Sequence, residues 1–175
     1  MTGREGGILV RPARREDAAL LLRLFGELAE YEQLSDMLRA DERKLSEALF
    51  CERPLAEALI AERDGQAAGY ALYFPTFSSF LASPGIWLED LFVRPVHRRF
   101  GIGRALLAAV AARACERGGE RLEWAALDWN ELALGFYRGL GARTMGEWVT
   151  HRLDGAALER LAAEHGARGS DSHGL

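Results

Sequence analysis

Along this chain, apolar residues recur now at helical spacing and now in short β-branched or aromatic runs, and the changes between the two outline its elements. Ile8-Leu9-Val10 predicts a first strand, stopped by Pro12. From Asp17 to about Gln33, Leu21, Leu24, Phe25 and Leu28 mark one face of an amphipathic helix. Asp41 is suited to cap a second short helix through Leu49, while residues 34–56 otherwise carry no strong pattern. Glu57 to Arg63 and Gln66 to Phe74 read as strands joined at Asp64-Gly65, a strong hairpin signal. Pro75 to Pro84 is rich in turn formers and predicts a loop whose Phe77, Phe80 and Leu81 either wall a pocket or anchor the loop.

The most distinctive stretch follows. Ile86 to Val93 is an apolar strand interrupted by Glu89 and Asp90, and it runs through Arg94-Pro95 into a basic, glycine-containing turn. Beyond the turn, Ile102, Leu106, Ala109 and Val110 line one side of an alanine-rich helix. Arg121 to Trp129 predicts another buried strand, and Asn130 caps a helix that places Ala133, Phe136, Tyr137 and Leu140 together and ends near Gly139 to Gly141. One or two further strands are expected in residues 142–153, then a short helix capped by Asp154. Residues 1–6 read as a flexible terminus and 165–175 as a disordered tail, leaving 7–164 as one domain. Alternating helices and strands imply a single α/β or α+β sheet.

Length and charge narrow the partners. A chain of 175 residues buries enough surface for a core without staples, and its two cysteines, Cys51 and Cys115, form neither a zinc-type nor a disulfide pattern. A reducing cytoplasm is the default expectation, with no metal. Neither a cationic leader nor a membrane-length apolar run is visible. A net charge of −4 disfavours nucleic acid and favours small cations.

A strand, glycine turn and helix in succession can hold a pyrophosphate through helix N-terminal N–H groups, helped by Arg98 and Arg99. The P-loop pattern fails for want of its lysine and hydroxyl, and the dinucleotide pattern for want of a third glycine after Gly101-x-Gly103. What stands is Arg98-x-x-Gly101-x-Gly103, spanning Arg98, Arg99, Phe100, Gly101, Ile102, Gly103 and Arg104. In a regular strand Glu89 and Asp90 would face opposite ways, so at least one would be buried at a cost of several kcal/mol. A β-bulge beside a polar cleft would relieve that, and so would pairing with arginines.

The turn resembles the (Arg or Gln)-x-x-Gly-x-(Gly or Ala) pyrophosphate motif of the GNAT superfamily of acyl-CoA-dependent N-acyltransferases, and Asn130-x-x-Ala133-x-x-Phe136-Tyr137-x-x-x-Gly141-Ala142 resembles its second signature. YFPTFSSFLASPGIWLEDLFVRP, LDWNE and FY are similar to the diamine branch, the spermidine/spermine and thialysine acetyltransferases, over roughly 8–160 and best at 70–142. The resemblance implies a GNAT α/β fold: a mixed, mostly antiparallel twisted sheet flanked by helices, with central strands splayed around acetyl-CoA. It implies pantetheine bonding by the backbone of Leu91, Phe92 and Val93. Pyrophosphate falls to residues 98–104, and Asn130, Ala133 and Phe136 are also assigned to the cofactor.

An amine acceptor with a pKa of about 10.4 arrives protonated and needs a base, while a departing thiolate gains from an acid. Glu89 is the candidate base; helical periodicity alone would make Tyr137 a core residue, and it is the resemblance, whose thiolate-protonating tyrosine stands in this Phe-Tyr pair, that implies Tyr137 as the acid. Tyr31 and Glu32, which match positions near which the resembled polyamine branch recruits acidic side chains, are candidate substrate contacts together with Trp87, Glu89 and Asp90, although the acids of the first helix could equally be a solvated face. Leu132 departs from the family's usual proline, and residues 34–56 do not align with its substrate-side segment. No role falls to His97, His151, His165 or His173. The expected reaction is direct acetyl transfer to a small diamine, polyamine or lysine-like amine in the cytoplasm, and the resemblance also implies a homodimer; a peptide acetyltransferase and a non-catalytic acyl-CoA-binding module are the alternatives.

Overall fold

The computed structural model describes residues 7–170, which fall in two compact units divided after Ala126. The first unit holds β1 (Ile8–Pro12), α1 (Ala18–Tyr31), α2 (Glu42–Leu49), β2 (Glu57–Arg63), β3 (Gln66–Ser78), β4 (Ser83–Val93), α3 (Ile102–Glu116) and β5 (Leu122–Trp124). The second holds α4 (Glu131–Gly139) and α5 (Gly155–Ser170). No helix among the described residues is long and apolar enough to cross a membrane.

The sheet runs β1-β2-β3-β4-β5, antiparallel except for the last pair, which is parallel. Local chemistry sets much of this. Asp64 and Gly65 both take positive φ, 54° and 76°, as a tight two-residue hairpin requires. The Asp41 carboxylate accepts the Lys44 N–H at 2.8 Å and starts α2. On one face of the sheet, Leu21, Leu24, Leu45 and Leu49 of α1 and α2 pack on Ala58, Ile60, Tyr70 and Phe92. Their strand neighbours Leu59, Ala61, Ala71 and Tyr73 are buried by alternation on the opposite face, where α3 buries Ile102, Leu106 and Val110.

β3 and β4 approach too closely for any side chain at Gly69. A Cβ there would lie 2.3 Å from the Phe92 carbonyl oxygen, a backbone atom that cannot rotate away. Gly69→Ala is expected to cost at least about 3 kcal/mol. Urea unfolding of the variant against the parent chain measures that loss.

Four expectations differ from the structure. Pro75 to Pro84 is not a loop: β3 continues to Ser78 and β4 begins at Ser83, leaving a tip of four residues, 79–82. β2 pairs only as far as Tyr73, so Pro75 lies where β3 has one neighbour, a position that tolerates a missing N–H. The strand expected over Arg121 to Trp129 shrinks to Leu122–Trp124. Residues 142–153 contain no strand among the described residues, although Trp148 and Val149 suit one; a strand needs a ladder partner, and none is paired there. Finally, α5 continues to Ser170, past His165, despite glycines that each disfavour helix by about 1 kcal/mol. The expected loose ends at 1–6 and 171–175 lie outside the described residues.

Candidate active site

The two acids of β4 sit at a break in its pairing. Leu72 pairs with Asp90 but Tyr73 pairs with Leu88, so Glu89 is an extra residue in β4, the signature of a β-bulge. The parallel ladder to β5 covers only Ile86, Trp87 and Leu88 of β4, ending just before the bulge. From Glu89 to Val93, no strand among the described residues pairs with β4 on its β5 side, and on that side the Val93 carbonyl accepts the Arg98 Nε–H. The shortness of β5 has the same origin, since a bulge bends its strand away from the neighbour.

The bulge also changes which way the acids face. Phe74 pairs with Trp87, Leu72 with Asp90 and Tyr70 with Phe92, which places Trp87, Asp90 and Phe92 on one face although Trp87 and Asp90 are three residues apart. Glu89 joins them, its carboxylate accepting the Trp87 indole N–H at 2.9 Å. Glu89 is exposed and Asp90 half-buried, so burial falls on Asp90 rather than on Glu89. The Asp90 carboxylate accepts the Tyr70 hydroxyl at 2.9 Å. Burial pushes the Asp90 carboxyl up to about 6; the Tyr70 hydrogen bond works against that, and the charges of Glu89 and Glu32 add to it.

The end of α1 completes this side. Glu32 is raised above the ordinary carboxylate range by burial, and its charge acts on both Asp90 and Tyr70. The Arg98 guanidinium lies 4.6 Å from the centroid of the Tyr31 ring and donates from Nε to the Val93 carbonyl at 3.0 Å. Arg94, just past β4, pairs with Glu27 of α1 through two hydrogen bonds of 2.8 and 2.6 Å. Trp87, Glu89 and Asp90 thus share one face of β4 within electrostatic reach of Glu32, while Tyr31 lies against Arg98. Among the described residues, neither Glu32, Glu89 nor Asp90 has an ion-pair partner, and no three His, Cys, Asp or Glu side chains are placed to hold a metal ion.

An ionised acid held half-buried without a cation costs stability. The folded carboxyl near 6 binds its proton more readily than an unfolded aspartate near 3.9, so stability falls as pH rises through this window and stays lower above it. Asp90→Asn is expected to stabilise the fold at pH 7.5 by up to about 3 kcal/mol and to confer no advantage at pH 3.5. Denaturant unfolding of both chains at the two pH values tests the sign.

The turn expected to hold a pyrophosphate opens directly into α3. Arg99 and Gly101 take φ of 68° and 82°, and Gly101 caps α3 while accepting the Ala105 N–H at 2.9 Å. The N–H groups of Ile102, Gly103 and Arg104, in the first turn, have no carbonyl one turn earlier in the helix. No acid occupies that turn, and the space a Cβ would take at Gly101 is open. Arg99 and Arg104 are exposed and make no ion pair among the described residues, so the turn suits a pyrophosphate. Phe100 is stacked by Arg63, whose guanidinium lies 3.4 Å from the ring centroid. Ile102 is buried as a helix anchor.

In the second unit, Asn130 accepts the Ala133 N–H at 3.2 Å and so caps α4. Gly141, at φ 86°, ends α4: its N–H meets the Arg138 carbonyl at 3.0 Å, and the Ala142 N–H meets the Tyr137 carbonyl at 3.1 Å. Phe136 and Tyr137 are half-buried, with ring centroids 5.3 Å apart. The spacing of Asn130, Ala133, Phe136, Tyr137 and Gly141 is therefore the spacing of one capped helix.

Sequence reasoning missed Tyr70. Its run carried a strand signal, but its link to Asp90 depends on a cross-strand register that no local pattern reveals.

The model of the acetyltransferase (GNAT) family matches residues 23–142. Thialysine N-epsilon-acetyltransferase of Bos taurus is 36% identical over 168 residues, covering 90% of this chain and 98% of that protein. L-ornithine N5-acetyltransferase NATA1 of Arabidopsis thaliana is 45% identical over 98 residues, 56% of this chain and 43% of its own length. Among solved structures, an integron cassette protein from the mobile metagenome of V. cholerae matches with a TM-score of 0.75 and 28% identity, covering 89% of this chain and 97% of that one.

Proposed function

Because this chain belongs to the GNAT acetyltransferase family, and so is an N-acetyltransferase, we propose that it moves acetyl from acetyl-CoA directly to a primary amine of a small cationic substrate, a diamine, polyamine or lysine-like molecule such as thialysine. The observation that carries the substrate class is the bulge in β4. It turns Glu89 and Asp90 to one face beside Glu32, and no cation of the described chain pairs with any of the three. A ligand with two ammonium groups would supply the missing charge, and acetylation would need only one of them free. The thialysine and ornithine acetyltransferases among the relatives act on substrates of that kind by name.

In this scheme residues 98–104 bind the cosubstrate's pyrophosphate through backbone N–H groups and the charges of Arg99 and Arg104. The edge of β4 from Leu91 to Val93, which lies beyond the ladder to β5, hydrogen-bonds the pantetheine arm. Glu89, exposed and already polarised by the Trp87 N–H, takes the ammonium proton, directly or through one water. The free amine attacks the thioester carbonyl, the C–N bond forms, and the C–S bond breaks with Tyr137 donating a proton to sulfur. Asp90 and Glu32 hold the second ammonium.

Thioester consumption with thialysine, with a monoamine of similar length and with a lysine-containing peptide tests the substrate class. The diamine should be favoured over the monoamine by at least tenfold in kcat/KM, the value of about one charge-assisted hydrogen bond. Equal rates, or preference for the peptide, would overturn it.

A further inference from the structure

Tyr70 is fully buried at the centre of the sheet, yet its hydroxyl reaches a carboxylate. Its ring is held by Phe25 of α1, with centroids 5.0 Å apart, and by Phe92 of β4, at 6.2 Å. Phenylalanine would fill that place equally well, so the packing does not account for the hydroxyl. A buried hydroxyl costs free energy unless it is bonded, and among the described residues this one bonds to Asp90 Oδ2, at 2.9 Å.

The register explains how the two meet. Tyr70 pairs with Phe92 and Leu72 with Asp90, so Tyr70 and Asp90 are diagonal neighbours on the same face of the β3–β4 ladder. The charged groups that act on Asp90 are Glu89 on its own strand and Glu32 at the end of α1, both acidic. Among the described residues, no arginine or lysine forms an ion pair with Asp90, and the Tyr70 hydroxyl is its one hydrogen-bond donor. That donor occupies Oδ2, and no donor among the described residues bonds Oδ1.

We propose that Tyr70 is a positioning residue for amine recognition: its hydroxyl fixes the Asp90 carboxylate in one orientation, with Oδ1 presented to the ammonium of the substrate. This rests on the reading of Asp90 as an amine contact. Tyr70 touches no substrate and acts only through Asp90. By donating to the carboxylate it also favours the ionised form, the form that binds a cation.

A double-mutant cycle with thialysine as the amine tests this. Tyr70→Phe keeps the ring and its packing, and unchanged circular dichroism would establish that the variant folds. It should raise KM for thialysine about tenfold while changing kcat and KM for acetyl-CoA less than threefold. It should also move the acid limb of kcat/KM upward by about one pH unit, because Asp90 loses the bond that favours its charge. In an Asp90→Asn background the same substitution should do nothing more. An effect of Tyr70→Phe that persists undiminished in that background would reduce Tyr70 to a core residue and overturn the proposal, as would an unmoved pH limb. Asp90→Asn with unchanged KM for thialysine would instead remove Asp90 as an amine contact, and the role of Tyr70 with it. Should Tyr70→Phe fail to fold, 3-fluorotyrosine at position 70 replaces it: a stronger donor must shift the limb downward, and an unshifted limb overturns the proposal.

Discussion

Replacing Tyr137 by phenylalanine should lower kcat about 100-fold and leave the affinity for acetyl-CoA within about twofold, the low end of what a positioned general acid contributes. Only the hydroxyl is lost, so the half-buried ring, its contact with Phe136 and the Asn130 cap of α4 all persist. In the proposed scheme the Tyr137 hydroxyl acts on the departing sulfur and not on the bound thioester, so kcat should fall and binding should not. A thiolate of conjugate pKa near 8.5 leaves more easily when protonated, so the deficit should shrink with a thioester whose thiol is more acidic. Stopped-flow turnover with acetyl-CoA and equilibrium titration of CoA give the two quantities separately. Unchanged turnover would return Tyr137 to an ordinary packing role.

Glu89→Gln should cost about 100-fold in kcat/KM for the amine at pH 7, and the cost should diminish as pH rises. At pH 7 roughly one amine in 2,500 with a pKa near 10.4 is free, so without a base the enzyme waits for that fraction. Raising the pH supplies the free amine from solution and bypasses the missing carboxylate. Glutamine can still accept the Trp87 indole N–H, so the bulge should keep its geometry. Rate profiles of both chains between pH 6 and 10 measure the convergence. A deficit that stays constant with pH would assign Glu89 to binding rather than to proton transfer.

What could be read from the chain was whatever depends on near neighbours. The Asp64-Gly65 hairpin, the Asp41 and Asn130 caps and the glycine stop near 139–141 follow from conformational limits of single residues, and the structure has each of them. The acid pair of β4 was legible as a burial problem, and the bulge is its resolution. Which acid would be buried was not legible: that depends on where Glu89 drops out of the β3 ladder, and the burden falls on Asp90. The Tyr70 contact depends on the same register. Residues 142–153 have strand-like composition without a paired strand, because a ladder is a property of two segments. Pro75 misled in the opposite direction, since a turn former fits an extended strand wherever one edge is unpaired.

The chain's membership of an acetyltransferase family leaves the acceptor as the central question, and product identity in competition answers it most directly. The chain would be incubated with acetyl-CoA and equimolar thialysine, ornithine, spermidine, a monoamine and a lysine-containing peptide, and the products identified by mass spectrometry. The account predicts monoacetylated small diamine or polyamine species as the dominant products, with CoA released in equal amount. Acetylated peptide as the main product, or no CoA released with any of the amines, would contradict it.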